Sequence, residues 1–180
     1  MKNFYDLVLC SSKELKNVRN LAIAGLLITM KLILDFFTIQ FNQALHLSFE
    51  FLPFASLCML FGPVTGAMAG GVSDIINYIA NPKGAFFPGF TISAMVSGII
   101  YGLSFYKKKV SLKRCIIAKI AIVLIVDILL NTLWLSILYG KGFFVLLPMR
   151  IVKNVVMIPI NVAMMYFVLK LVDRIKDQYY

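Results

Sequence analysis

Apolar residues run along this chain in long blocks separated by short polar stretches. Residues 1–18 are mixed in polarity, and Ser11-Ser12-Lys13-Glu14 has the capping-box form that starts a short interfacial helix. The first apolar block covers about 19–39 and is followed by a polar connection, Gln40 to Glu50, that holds the only histidine, His46. A second block reaches Phe61, is short for a full span and contains Pro53, and Gly62-Pro63 breaks it. A third helix follows, with Asp74 and Asn77 along it, and ends at the strong turn signal Asn81-Pro82-Lys83-Gly84. A fourth span then runs to about Tyr106, and the basic run Lys107-Lys108-Lys109 with Lys113 and Arg114 separates it from a fifth. Tyr139-Gly140-Lys141-Gly142 turns the chain into a sixth span, which ends near Val172 and is trailed by Arg174 and Lys176.

A spanning helix needs roughly 20 apolar residues, so about six spans consume most of this chain. The pattern predicts an all-α integral membrane protein, a bundle of six transmembrane helices. Residues 1–18 form an N-terminal segment, 19–172 the membrane domain and 173–180 a tail. Composition agrees: 180 residues, 61% hydrophobic and only 14% charged, carry more apolar surface than a soluble domain of this size could bury.

The net charge of +10 changes the picture only through its placement. Basic residues gather at segment ends, as topogenic charges do, and not along a face that could read nucleic acid. With six spans, the N-terminal segment, the 107–114 loop and the tail share one side. The opposite loops contribute only Lys83 and Lys141. The excess of Lys and Arg then puts both termini in the cytoplasm. Cys10, Cys58 and Cys115 are widely spaced single thiols and read as packing residues.

Chemistry is concentrated in Asn131 to Asn154. Asn131 and Trp134 lie three apart before the turn; after it Arg150, Lys153 and Asn154 share a helical face. Pro148 is placed near the start of that second helix. Charge at such depth is costly and has a polar cavity or partner as its reason. The constellation predicts an outward-opening pocket for a flat, anionic small molecule. Snorkelling cations and an interfacial belt tryptophan are the bland alternatives. Lys31 and Asp35, four apart in the first span, read as a structural pair. Asp74 and Asp127 are intramembrane carboxylates, which leaves open a self-sufficient ion-coupled transporter. The glycine row Gly62, Gly66, Gly70 permits close helix contact, within the chain or with another subunit. No GxxxxGK[ST] loop, HExxH or paired-cysteine motif is present, so ATP hydrolysis and zinc chemistry have no support, and no cofactor is implied.

The succession FLPFASLCMLFGPVTGAMAGGVSD, FFPGFTISAMVSGIIYGL, NTLWLSILYGKGF and LLPMRIVKN resembles the folate-specific substrate-binding S component of energy-coupling factor transporters. The resemblance spans roughly 19–172. It implies a six-helix subunit that binds one vitamin at its outward end and docks on a membrane coupling subunit with two cytoplasmic ATPases. Another vitamin, such as thiamine or riboflavin, is the alternative within the class. The outer loops expected to close over the ligand are Gln40 to Glu50 and Asn81 to Phe90. For a folate, Trp134, Phe90 and Phe87 would stack the rings, and Asn131 suits the pterin edge. Arg150 suits a carboxylate or the pterin carbonyl, and Lys153, Thr91, Tyr139, Glu50 and Lys83 complete the expected binding set. The family's Ala-x-x-x-Ala coupling motif on the first helix is altered, since Leu26 follows Ala22 and Ile28 follows Ala24 at that spacing. Ala22, Ala24 and Gly25 still supply a small-residue face for the coupling subunit.

Overall fold

The computed structural model describes residues 10–12, 17–37, 39–42, 45–81, 86–140 and 143–179, with backbone alone for 39–42, 45–47 and 176–179 and for a few helix positions that include Tyr139. Helix α1 (Val18–Phe36) starts at Asn17, whose side chain accepts the Arg19 N–H at 3.0 Å, satisfying one of the free donors of a helix start. The connection that follows pairs briefly as two antiparallel strands, β1 (Ile39–Asn42) and β2 (Leu45–Leu47), with Ile39 opposite Leu47 and Gln40 opposite His46.

Helix α2 (Phe51–Ala80) is two rods joined at a sharp break. Gly62 has φ 88°, a conformation open to glycine and strained for other residues, and Pro63 then begins the second rod with a φ already suited to a helix. The break leaves the first backbone donors of that rod without intrahelical partners. The hydroxyl of Ser11 accepts from the Val64 and Thr65 N–H groups at 3.1 and 3.2 Å and donates to the Phe61 carbonyl. Ser11 therefore caps a helix fifty residues away instead of its own; Glu14, its expected partner, lies outside the described residues.

Helix α3 (Pro88–Phe105) begins with its own N-terminal proline. A long rod follows in three parts: α4 (Leu112–Ala121), a π-helical segment (Ile122–Leu130) and α5 (Asn131–Tyr139), closed by Gly140 in the left-handed conformation. Helix α6 (Phe143–Tyr179) starts five residues before Pro148, which thus sits in the helix interior, and it stays helical through the segment expected as a tail.

Counting the two rods of α2 separately, the described residues form six helical rods. Among the described residues, four stretches are long and apolar enough to cross a membrane: Phe51–Ala80, Pro88–Phe105, Leu112–Leu138 and Arg150–Ile175. Helix α1 is less apolar because Arg19, Lys31 and Asp35 interrupt it. The outer surface is studded with Leu26, Ile33, Ile79, Ile117, Leu124, Val152 and Phe167, all exposed, while Asn20, Asp35, Lys119 and Asn161 are buried. An apolar exterior around polar interior groups is the arrangement a bilayer demands.

The glycine row packs inside the chain. A Cβ on Gly98 would collide with the Gly66 carbonyl, one on Gly70 would reach the Ala94 carbonyl, and one on Gly102 would meet Pro63. The second rod of α2 and α3 thus lie backbone to backbone, as small residues permit in lipid. Around this seam Leu57, Cys58, Phe105, Cys115, Met165 and Leu169 form a closely packed core at the end of the bundle that holds Ser11. The other end is hollow.

Candidate functional site

The hollow is a cavity of about 410 Å³. Every rod contributes: Lys31 from α1, Phe51, Phe54, Asp74 and Asn77 from α2, and a face of α3 from Phe90 to Tyr101. The long rod supplies Lys119, Asp127 and Asn131, and α6 supplies Lys153, Asn154 and Asn161. Ser48 and Glu50, just ahead of α2, complete the wall.

Several of these groups are held in place by short polar contacts. Lys31 donates to the Ser73 hydroxyl at 2.7 Å and lies 5.0 Å from the centre of the Phe54 ring. The Thr91 hydroxyl donates to the Asp74 carboxylate at 2.8 Å. The Trp134 indole N–H donates to the Ser93 hydroxyl at 3.1 Å, which ties α5 to α3. Lys119 sits 5.3 Å from the centre of the Phe51 ring. Three lysines (Lys31, Lys119, Lys153) and three acidic residues (Glu50, Asp74, Asp127) line the space.

Four polar oxygens of the wall make no hydrogen bond at all: Ser48 Oγ and the amide oxygens of Asn77, Asn131 and Asn161. A buried acceptor without a donor costs about 1–3 kcal/mol. They are the buried side-chain atoms without a partner among the described residues, and all four belong to residues that line the same cavity.

Of the binding residues expected from sequence, Glu50, Phe90, Asn131 and Lys153 line this cavity. Thr91 and Trp134 stand one hydrogen bond behind it, through Asp74 and Ser93. Phe87 packs on Trp134 with ring centres 5.6 Å apart and on Phe90 edge-on at 6.2 Å. Arg150 is not part of the lining; it donates to the backbone carbonyl of Asp127 at 3.0 Å. The Tyr139 side chain, Lys83, Lys141 and the side chain of His46 lie outside what is described. On α1, Ala22 and Gly25 are exposed, whereas Ala24 is buried in the core. Ser93, Ser97 and Tyr101 escaped the sequence reading, although their four-residue spacing marks one polar face of an apolar helix. Asn161, seven residues after Asn154 on the same face, escaped it too.

The sequence matches the family described as ECF transporter, substrate-specific component, over residues 19–169. It is 39% identical over 162 residues to a protein of Clostridium novyi named folate transporter FolT, covering 90% of this chain and 94% of that one. A Leuconostoc mesenteroides protein of the same name is 33% identical over 159 residues, covering 85% of each. The fold is similar to a crystal structure of FolT bound with folic acid, with a TM-score of 0.77 and 33% identity, covering 84% of this chain and 92% of that one.

Proposed function

The chain belongs to the family of ECF transporter substrate-specific components, and from that premise we propose that it captures folate and delivers it to the cytoplasm with an ATPase-powered coupling module. The observation that carries the reading is one cavity lined by asparagine amides (Asn77, Asn131, Asn154, Asn161), lysines and aromatic rings. A pterin presents an amino group and ring N–H donors along one edge, and amide oxygens are its natural complement. The relatives named as folate transporters and the folic acid-bound FolT structure support the same ligand.

Within the cavity, Asn131, Asn77 and Asn161 hold the pterin edge, and Phe90, Phe54 and Tyr101 offer ring faces and edges to the pterin and benzoyl rings. Lys153 and Lys119 pair with the glutamate carboxylates. Trp134, Phe87 and Thr91 keep the walls in position. The cavity faces the end whose loops carry only Lys83 and Lys141, so the basic-residue rule directs it outward and both termini inward, in the plasma membrane of a bacterium. The chain has no nucleotide-binding loop of its own, so partner ATPases supply the energy. Ala22 and Gly25, exposed on α1, are the small residues open to the coupling subunit.

A calorimetric titration of the detergent-purified protein with folate, with thiamine and riboflavin as controls, tests the reading. One-to-one binding of folate alone is the expected result. Binding of another vitamin with no folate heat would overturn the specificity, and silence for all three would overturn the capture role.

A further inference from the structure

The cavity-facing residues of the long rod include Ile122, Val126, Asp127 and Asn131. Ile122 and Asn131 are nine positions apart. In an α-helix nine residues make about two and a half turns and place the two on opposite faces. A π-helix closes with i to i+5 hydrogen bonds at about 4.4 residues per turn, so nine residues make about two turns and share a face. The π-helical stretch here covers Ile122–Leu130, and the Asn131 N–H bonds the Val126 carbonyl five residues back. This register is what turns Asn131 over the same wall as Ile122. Runs of π-helix this long are rare and need support from outside the ladder. The Asp127 carbonyl, in the middle of the stretch, takes a hydrogen bond from the Arg150 guanidinium at 3.0 Å and another from the Thr132 hydroxyl at 3.2 Å. Thr132 is fully buried.

Resting on the reading of this cavity as the folate site, we infer that Arg150 is a positioning residue: bonded to the Asp127 carbonyl instead of the ligand, it holds the π register that presents Asn131 to the cavity. Thr132 is its second support. The cation that sequence alone assigns to substrate contact acts through the backbone of the neighbouring rod.

A double-mutant cycle on the full chain tests this, with folate affinity and the emission of Trp134, the one tryptophan of the chain, as readouts. Arg150→Ala is expected to weaken folate binding about tenfold or more in the native background, and less than about threefold on Asn131→Ala. Arg150→Lys, which keeps one donor for the carbonyl, stays within about threefold of the native protein. Thr132→Val, a near-isosteric change, weakens binding in the same Asn131-dependent way and serves if Arg150→Ala does not fold. A full loss from Arg150→Ala that persists on Asn131→Ala would overturn the inference, as would Arg150→Lys proving as damaging as alanine. In ligand-free protein, loss of the register shifts Trp134 emission in Arg150→Ala, and Arg150→Lys restores it; unchanged emission in Arg150→Ala overturns the inference. This second readout needs no folate, so failure of the folate reading is seen separately, in the native titration.

Discussion

The hydroxyl of Ser11 donates to the backbone carbonyl of Phe61 at 2.7 Å, across fifty residues of sequence. The same oxygen accepts from the Val64 and Thr65 N–H groups, so one side chain serves both ends of the Gly62–Pro63 break. Ser11→Ala removes the hydroxyl's hydrogen bonds to Phe61, Val64 and Thr65 at a fully buried point. It should cost about 1–3 kcal/mol, read as a lowered thermal midpoint in detergent with folate affinity unchanged. A midpoint equal to that of the native protein would show that water or lipid headgroups replace the hydroxyl.

Gly98 lies against Gly66 so closely that any side chain would meet backbone, which cannot yield as a flexible side chain can. Gly98→Val should therefore destabilise by about 1–3 kcal/mol or prevent folding, seen as loss of the monodisperse peak in size-exclusion chromatography. Gly25→Ala, where an added Cβ meets nothing within 4 Å, is the matched control and should leave the peak intact.

Asn161 is 8% exposed, and its amide oxygen has no partner among the described residues. Asn161→Leu should raise the thermal midpoint of the ligand-free protein by relieving an unsatisfied acceptor. The same change should weaken folate binding by roughly tenfold or more. Both effects come from one set of samples, by thermal scanning and titration. A variant that is less stable and binds normally would separate Asn161 from the ligand.

Trp134 stands between Phe87 and Ser93, next to the cavity wall. As the single tryptophan it should report occupancy, and folate should quench its emission in proportion to bound ligand. Trp134→Phe keeps an aromatic contact with Phe87 and leaves Ser93 without its donor. A loss of affinity of about three- to tenfold is expected from equilibrium dialysis with radiolabelled folate.

The rods were legible in the sequence because apolar blocks of bilayer length and their breakers are local signals. The Gly62–Pro63 break, the Tyr139–Gly140 turn and the start of α3 at Pro88 all fall where those signals stand. The partners of Ser11 and Arg150 were not legible, because each is a backbone atom on a remote rod, and a carbonyl has no letter of its own. The π register was equally hidden: Ile122 to Leu130 is a plain apolar run apart from Asp127, and its i to i+5 bonding follows from what packs on it. Asn131 and Lys153 stood out as polar residues in an apolar context, whereas Ser93, Ser97 and Tyr101 did not, since hydroxyls are common in spanning helices.

The packed half of the bundle also has an electrical meaning. Leu57, Cys58, Phe105, Met165 and Leu169 are at most 1% exposed and belong to one apolar core cluster. Water and ions that enter the hollow reach a dry plug instead of the opposite aqueous phase, where the cost of carrying a charge is highest. Such a plug predicts that vesicles bearing the ligand-free protein hold an ion gradient as long as protein-free vesicles do.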